Sequence, residues 1–286
     1  MTQRIVVTGA NKGIGRAIVE RILGEHPETF VYLGSRSAER GETARAAMLA
    51  EHPDWAERVE VLPIDVADEA SVEAAAERVE RAGPVYGLVN NAGIGRTGNT
   101  FADVLRVNAY GPRRVCETFA ALLRDRVVIV TSASGPNFVA ECSPEMQRLF
   151  TDPALEWEDL DALLQTTLTL DGPAAFAAHG LGDGDAYGLS KAAANAFMQI
   201  FARQHPGLRV NACTPGWIAT DMTRPYAEAE GQDPLAMGMK TPHEGATAPL
   251  HLLFGELAGN GWYYGSDAVR SPLDRYRSPG DPPFAG

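Results

Sequence analysis

Apolar and polar positions alternate along most of the chain in a regular way. Short apolar, β-branched runs at residues 5–8, 30–33, 59–64, 85–89, 127–130 and 208–213 predict six strands. Helical patterns separate them, at about 14–24, 38–50, from 68–71 onward, 101–123 and 186–204. Continuous apolar strands that alternate with helices indicate an α/β fold with a parallel sheet covered on both faces. Right-handed crossovers make this a doubly wound sheet.

Two segments depart from this alternation. No strand is predicted from about residue 137 to 185, where 144–150 and 155–165 have the pattern of two short amphipathic helices. We interpret this segment as a helical insertion between the fifth strand and the next long helix. Residues 271–286 hold four prolines and two glycines, which predicts an irregular tail that is on the surface or mobile. We expect residues 1–286 to form one domain.

Composition and charge exclude several classes of protein. The chain has 25 Lys and Arg against 37 Asp and Glu, a net charge of −12, which argues against a nucleic-acid partner or a polybasic membrane surface. No apolar run approaches the roughly 20 residues of a membrane-spanning helix. The first strand follows Met1 almost at once, with no room for a signal peptide. We therefore expect a cytoplasmic protein.

The cysteines and histidines show no pattern of a metal or disulfide site. Cys116, Cys142 and Cys213 lie far apart and have no CxxC spacing, and the histidines are not spaced as metal ligands. The sequence therefore predicts no bound metal and no disulfide framework.

The first predicted strand ends in a glycine-rich turn, Thr8-Gly9-Ala10-Asn11-Lys12-Gly13-Ile14-Gly15. Glycines allow a tight turn and let a pyrophosphate approach the backbone. The helix that follows presents unpaired N–H groups and the positive end of its dipole. An ordinary strand-to-helix turn has similar residues, but the position after the first strand favours nucleotide binding.

Other motifs follow in a fixed order. They are Asp65 after the third strand, Asn90-Asn91-Ala92-Gly93 at the end of the fourth, Asn108 in the next helix, Ser132 after the fifth, Tyr187-Gly188-Leu189-Ser190-Lys191, and Pro215-Gly216-Trp217-Ile218-Ala219-Thr220 after the sixth. With the T-G-x-x-x-G-x-G turn, this ordered set resembles the short-chain dehydrogenases/reductases from about residue 4 to 265. A single Y-x-x-x-K pair would be weak evidence, but the ordered set is specific.

The resemblance implies a Rossmann fold, a nicotinamide cofactor and named roles. The catalytic residues would be Asn108, Ser132, Tyr187 and Lys191, with Asn108 holding a water that relays protons to Lys191. Asp65 would contact the adenine. The cofactor-binding residues would be Gly9, Asn11, Lys12, Gly13, Ile14, Gly15, Arg36, Asp65, Val66, Asn91, Ala92, Gly93, Tyr187, Lys191, Pro215, Gly216, Ile218 and Thr220.

Elementary chemistry supports the catalytic roles. The i, i+4 spacing puts Tyr187 and Lys191 on one face of a helix. A nearby ammonium favours the phenolate, so we expect the pKa of Tyr187 to be lowered from about 10 towards neutral pH. The tyrosine would donate a proton to a carbonyl oxygen, or accept one from an alcohol in reverse. Ser132 would hydrogen-bond the same oxygen.

The end of the second strand bears on which cofactor is used. NAD-specific sites usually carry an acidic residue there, to bind the ribose 2′-hydroxyl. Here the strand ends in Gly34-Ser35-Arg36, without an acid. Arg36 and Lys12 stand where NADP-preferring relatives hold the 2′-phosphate, and guanidinium suits phosphate recognition. We therefore expect NADP(H).

The insertion narrows the resemblance to the monomeric carbonyl reductases within the family. Ser132 and Tyr187 are separated by a longer stretch than in most members, and in those reductases the extra helices cover the face used elsewhere for oligomerisation. Six apolar residues at roughly helical spacing would form that cover: Leu149, Phe150, Leu155, Leu160, Leu163 and Leu164. We expect a monomer with these helices beside the helix that bears Tyr187.

Three functions remain open. The leading hypothesis is an NADPH-dependent reductase of ketones or aldehydes, acting reversibly on a small-molecule carbonyl or alcohol. The second is an imine reductase or a dedicated alcohol dehydrogenase on the same site. The third is a nucleotide-sensing regulator without catalysis, although such proteins typically lack the Tyr or the Lys. We expect Trp217 to line the substrate cleft, and Trp262, Tyr263 and Tyr264 to lie in the core or at the rim.

Overall fold

One eight-stranded sheet runs through the computed structural model, which describes residues 2–286. The strands are β1 (Gln3–Val7), β2 (Thr29–Ser35), β3 (Val59–Pro63), β4 (Val85–Asn90), β5 (Leu123–Val130), β6 (Arg209–Cys213), β7 (Tyr263–Tyr264) and β8 (Arg270–Ser271). Their order in the sheet is β3-β2-β1-β4-β5-β6-β7-β8. The first seven are parallel, and β8 pairs antiparallel with β7. The predicted doubly wound parallel sheet is confirmed.

Helices cover both faces of this sheet. They are α1 (Gly13–Glu25), α2 (Ala38–Glu51), α3 (Glu69–Glu80), α4 (Phe101–Asn108), α5 (Tyr110–Phe119), α6 (Ser134–Glu141), α7 (Pro144–Thr151), α8 (Trp157–Thr167), α9 (Gly172–Ala178), α10 (Ala186–Gln204), α11 (Arg224–Ala229), α12 (Pro242–Gly245) and α13 (Thr247–Phe254), with a 3₁₀ turn at Pro53–Arg58. Within β1, Ile5 and Val7 pack in one core with α1 and α13, while Val6 packs in the other with α3 and α10. The two-residue period of a strand thus divides the core into two layers.

The strand order reverses between β1 and β4. β1 pairs with β2 from Gln3↔Thr29 to Val7↔Leu33, and on its other side with β4. The loops after β1 and β4 therefore leave the sheet on opposite faces and form a crevice at its carboxyl edge. In doubly wound sheets, ligands bind in that crevice.

The single helix predicted over residues 101–123 is wrong in its extent. The chain forms α4 and α5 with a break at Ala109 (φ −103°, ψ −57°), and β5 already begins at Leu123. Pro112 has no N–H, so a continuous helix would lack the hydrogen bond to the Asn108 carbonyl. The start of β5 was missed because Arg124, Asp125 and Arg126 interrupt its apolar pattern.

The C-terminal residues are tied to the last strands. The Arg277 guanidinium is buried, pairs with Asp267, and donates to Ser271 Oγ at 2.9 Å and to the Asp281 carbonyl at 2.6 Å. These bonds order the irregular tail against β8. Within residues 2–286, no helix combines the length and the apolar character needed to cross a membrane.

Candidate active site

The turn after β1 can be built only with glycine at key positions. Gly9 and Gly13 have φ of +64° and +56°, in the left-handed region. A Cβ on Gly15 would lie 2.4 Å from the Gly9 carbonyl oxygen and from Asn91 Nδ2. α1 begins at Gly13 with no acid in its first turn and no side-chain cap from Lys12. The first N–H groups of α1 are therefore available to an anionic group.

The ends of β1 and β4 are locked together by side chains of Thr8 and Asn91. Thr8 Oγ1 accepts hydrogen bonds from the backbone N–H groups of Asn91 and Ala92, both at 3.0 Å. Asn91 Nδ2 donates to the carbonyls of Thr8 at 3.0 Å and Gly9 at 3.1 Å. Asn91, predicted to bind the cofactor, thus supports the glycine turn. The role of Thr8 was missed, although a threonine directly before the first glycine was a readable signal.

The predicted catalytic residues come together above the end of β4. A Cβ built on Gly93 would lie 3.2 Å from Asn108 Oδ1 and 3.4 Å from Lys191 Nζ. Lys191 Nζ lies 5.5 Å from the centre of the Tyr187 ring, and the Ser132 side chain is near enough to Tyr187 to lower its pKa. Ser132 Oγ donates to Ser134 Oγ and accepts from the Ser134 N–H, both at 3.2 Å. Four side chains distant in sequence therefore face one space beside Gly93.

Two glycines allow Ser132 and Tyr187 to approach despite the insertion between them. A Cβ on Gly135 of α6 would lie 3.0 Å from the backbone nitrogen of Ala192. A Cβ on Gly188 of α10 would lie 2.9 Å from Phe138 Cβ. α6 and α10 therefore pack with their backbones close together, which carries the end of β5 to the start of α10.

The pKa of Tyr187 departs from the expected direction. Burial raises the pKa of Tyr187, and this outweighs the effect of the nearby Ser132 hydroxyl, which lowers it. The expectation of a lowered Tyr187 pKa is therefore wrong for this arrangement. Burial also lowers the pKa of Lys191 to about 8. At neutral pH the phenol stays protonated while the lysine is charged, the state needed to give a proton away.

Asp185 organises the start of the helix that carries Tyr187. Its Oδ1 accepts from the Tyr187 N–H at 3.0 Å and its Oδ2 from the Gly188 N–H at 3.1 Å. The same carboxylate pairs with Arg96 Nη1 at 3.1 Å, which ties α10 to the loop after β4. Asp185 was not among the predicted site residues, although an Asp just before a helix is a typical N-cap.

An open cavity lies beside this ion pair. It has a volume of about 320 Å³ and is lined by Arg96, Thr100, Phe101 and Val104 on one side and by residues 183–186 on the other. Its size is at the lower end of small-molecule sites. It lies next to the N-terminus of α10, one residue before Tyr187.

The Asn108 side chain holds the loop after β4. Its Oδ1 accepts from the Ile94 N–H at 2.9 Å, and its Nδ2 donates to the Ile94 carbonyl at 2.9 Å and to Ser190 Oγ at 3.2 Å. The side chain is thus committed to protein partners. Pro112 has no N–H and cannot donate to the Asn108 carbonyl.

The predicted adenosine-binding residues lie at the ends of β2 and β3. Arg36 is exposed, and no acid follows β2 before Glu39. Asp65 Oδ1 accepts from the Ala67 N–H at 3.0 Å, and Val66 is buried. The Asp65 carboxylate thus shapes its own turn, and Val66 packs in the core, where a Cβ on Gly111 would lie 3.0 Å from its Cγ2.

The P-G segment closes the crevice from the other side. Pro215 is followed by Gly216, which has a φ of +94°. The Ile218 side chain packs against Gly245, so closely that a Cβ added to Gly245 would lie 2.9 Å from Ile218 Cδ1. A Cβ on Gly13 would lie 3.4 Å from Thr220 Cγ2. The segment therefore meets the glycine turn directly.

Residues 217–240 form a flap over this crevice. Its ends are joined by two hydrogen bonds at 2.8 Å, from the Ala219 N–H to the Lys240 carbonyl and from the Lys240 N–H to the Trp217 carbonyl. The flap exposes four large apolar side chains, Trp217, Met222, Tyr226 and Leu235. Met222 packs against Gly95: a Cβ added to Gly95 would lie 3.1 Å from Met222 Cγ. The flap therefore contacts the loop after β4. Met222 and Tyr226 were missed because the chain after Thr220 has no recognisable motif.

Tyr263 and Tyr264 lie in the sheet as β7, both buried. Trp262 stacks under the Arg270 guanidinium, 3.8 Å from the ring centre. These three aromatic residues therefore support the last strands.

Comparison with known proteins places this geometry in a family. The family model described as short chain dehydrogenase matches residues 3–144. Carbonyl reductase 1 (NADPH) of Sus scrofa is 32% identical over 269 residues, which cover 88% of this chain and 86% of that protein. The chain belongs to the short-chain dehydrogenase family.

Other relatives extend the likeness. (+)-Neomenthol dehydrogenase of Arabidopsis thaliana is 30% identical over 287 residues, covering 86% of this chain and 90% of that protein. The solved structure of salutaridine reductase from Papaver somniferum has the same fold, with a TM-score of 0.76 at 24% identity over 92% of this chain and 99% of that one. The fold of these relatives therefore extends over nearly the whole chain.

Proposed function

We propose that this protein is an NADPH-dependent reductase of ketones and aldehydes. The observation that carries the proposal is the position of Tyr187, next to Lys191 and near Ser132, beside Gly93 at the switch point of the sheet. The similarity to a carbonyl reductase named for NADPH supports it. In this chain Asn108, Ser132, Tyr187 and Lys191 are the catalytic residues.

The site residues handle the proton and the developing charge. The nicotinamide cofactor, when bound, supplies the hydride that reduces the carbonyl carbon. Tyr187 donates its hydroxyl proton to the carbonyl oxygen, and Ser132 hydrogen-bonds that oxygen as its charge grows. The Lys191 ammonium stabilises the phenolate left on Tyr187. Lys191 then passes one of its protons to the phenolate, which restores the Tyr187 hydroxyl, and a water held at Asn108 returns a proton from the solvent to Lys191. The reverse sequence oxidises an alcohol.

The crevice fits a phosphorylated dinucleotide. The uncapped first turn of α1 suits a pyrophosphate, and the tight positions at Gly9 and Gly15 let it approach the backbone. Arg36 is exposed at the end of β2, where no carboxylate would repel a 2′-phosphate. The residues between β1 and Thr220 that line this crevice are therefore the NADP(H)-binding residues.

The dependence of the rate on pH follows from Lys191. We expect kcat/KM for carbonyl reduction to be level below about pH 8 and to fall about tenfold per pH unit above it, because Lys191, with its pKa lowered to about 8, loses its charge. The raised pKa keeps Tyr187 protonated through this range. In Lys191→Arg the cation persists, so the alkaline limb should move up by more than a pH unit even if the rate falls. An unchanged limb in that variant would contradict the assignment.

The experiment that tests the proposed function follows NADPH oxidation across a panel of carbonyl compounds, with cyclic imines included. Turnover of ketones or aldehydes supports the proposal. Turnover of imines alone, or of one alcohol in the oxidative direction alone, supports the alternative enzymes. NADPH binding without any turnover supports a nucleotide-sensing regulator. The presence of both Tyr187 and Lys191 argues against that last function.

We infer that the protein is a cytoplasmic monomer. The three cysteines are unpaired and buried, which suits a reducing compartment. The insertion packs on the two helices that flank the site: Trp157 of α8 lies edge-on to Phe197 of α10 at 5.9 Å and under the Arg113 guanidinium of α5 at 4.2 Å. Phe150, Leu155, Leu160 and Leu164 are buried in the same core. This cover leaves little apolar surface for a second subunit.

Light scattering at micromolar concentration tests this inference. We expect a mass near 30.6 kDa, that of one chain, because the net charge of −12 also opposes self-association. A mass twice as large would mean that the insertion helices form a dimer contact of their own, instead of covering the helix face that other members of the family use to oligomerise.

A further inference from the structure

One ion pair joins the glycine turn to the flap. Lys12 Nζ lies 2.7 Å from Asp221 Oδ2, across the mouth of the crevice. Next to it, Thr220 packs against Gly13. The side chains of Lys12 and Asp221 are 62% and 67% exposed, so neither is fixed by packing.

Lys12 lies between the flap and the end of β2. The Ala10 N–H donates to the Gly34 carbonyl at 2.7 Å, so the glycine turn runs beside the last residues of β2. Lys12 is two residues beyond Ala10, and Arg36 is two residues beyond Gly34. The long, exposed stem of Lys12 can therefore turn either towards Arg36 or towards the flap, but its ammonium cannot serve both at once.

We propose that Asp221 competes with the 2′-phosphate of the cofactor for Lys12, so that one ammonium holds either the flap or the nucleotide. This inference rests on the proposed NADP(H) dependence. It makes Asp221 a residue that sets the cofactor preference from the opposite side of the crevice. The same exchange couples the phosphate to the flap, because a phosphate that takes Lys12 releases the flap from the glycine turn.

The charges decide which partner wins. A 2′-phosphate carries nearly two negative charges and three acceptor oxygens, whereas the carboxylate carries one charge. An exposed ion pair contributes little to stability, so Asp221 weakens phosphate binding without preventing it. Asp221 should weaken the binding only of nucleotides that carry the 2′-phosphate, because nucleotides without this phosphate do not bind Lys12.

Adenosine 2′,5′-bisphosphate and adenosine 5′-monophosphate separate these effects, since they differ only in the 2′-phosphate. In isothermal titration, Asp221→Asn should bind the bisphosphate about two- to fivefold more tightly than the wild type, the range set by an exposed ion pair, with the monophosphate unchanged. Lys12→Met should bind the bisphosphate more weakly, and adding Asp221→Asn to it should have no further effect. Glu228→Gln, which removes one charge from the exposed surface of the same flap, is the control and should match the wild type.

Hydrogen exchange of the flap provides an independent readout. The bisphosphate lacks the nicotinamide half, so it cannot touch the far end of the crevice. We expect it to speed exchange at residues 220–224 in the wild type but not in Lys12→Met, and the monophosphate to change nothing.

Three results would overturn the inference. Asp221→Asn binding both nucleotides more weakly would make Asp221 a clamp on the ligand. There is no competition if the wild type and Asp221→Asn bind the bisphosphate with equal affinity. The same holds if the bisphosphate leaves hydrogen exchange of the flap unchanged. If the wild type bound both nucleotides equally well, the proposed NADP(H) preference itself would fail, and this outcome is distinct from a preference that Asp221 does not alter.

Discussion

Replacing Tyr187 by phenylalanine is expected to lower kcat for carbonyl reduction by about 10²- to 10⁴-fold, the usual size of a general-acid contribution. The change removes the hydroxyl that gives the proton and keeps the ring beside Lys191. Because burial raises the pKa of Tyr187, the hydroxyl is protonated at neutral pH, so the variant loses a donor that the wild type has in full. Affinity for NADPH should stay within about twofold. Steady-state kinetics and a binding titration check both parts.

Tyr86→Phe is the matched control for this loss. The Tyr86 hydroxyl donates to the Leu253 carbonyl at 3.2 Å, on a strand-to-helix contact away from Ser132 and Lys191. Its removal should leave kcat unchanged. Near-normal turnover in Tyr187→Phe would remove the basis of the catalytic assignment, whereas an equal loss in both tyrosine variants would indicate a general effect on the fold.

Replacing Arg36 by aspartate is expected to reverse the cofactor preference. The wild type should use NADPH well and NADH poorly, because the exposed guanidinium lies at the end of β2 with no acid beside it. An aspartate there repels a 2′-phosphate and accepts a hydrogen bond from a 2′-hydroxyl. Loss of a charge-assisted contact of about 3 kcal/mol changes the ratio of kcat/KM values for the two cofactors by roughly 100-fold.

Arg40→Asp controls for the change of charge. Arg40 lies four residues after Arg36, in the first turn of α2, and is also exposed, so this variant alters the net charge equally but should shift the ratio far less. The Lys12–Asp221 ion pair makes Arg36 the main carrier of the preference, since Arg36 has no such competitor at the end of β2. Equal kcat/KM for NADPH and NADH in the wild type would contradict the prediction.

Regular patterns explain which elements could be predicted. The six strands from β1 to β6 are apolar over most of their length, and α1, α2, α3 and α10 follow clear helical spacing. β7 and β8 could not be predicted because two residues make no periodic pattern. They are defined by pairing, β7 with Ala212 and Cys213 of β6. The break between α4 and α5 was readable in Pro112, but the apolar spacing continues across it.

The residues of the candidate site likewise fall into those that a sequence motif identifies and those that only the fold identifies. Ser132, Tyr187 and Lys191 could be named from the sequence because each belongs to a motif with fixed spacing. Thr8 and Asp185 act through hydrogen bonds to the backbone, and a residue type alone does not show which backbone group it will reach. The direction of the Tyr187 pKa could not be predicted because burial, set by residues far along the chain, raises it more than the nearby Ser132 hydroxyl lowers it.

The sequence by itself determined the order of strands and helices, the glycine turn, the family motifs and the absence of an acid after β2. These depend on local conformation and on short spacings, which neighbouring residues specify. The tertiary structure alone decided that Lys12 faces Asp221, that Asn108 holds Ile94, and that the insertion packs on α5 and α10. Each of these contacts joins segments that meet only when the sheet has assembled, so its partner and its energy depend on packing that no local pattern encodes.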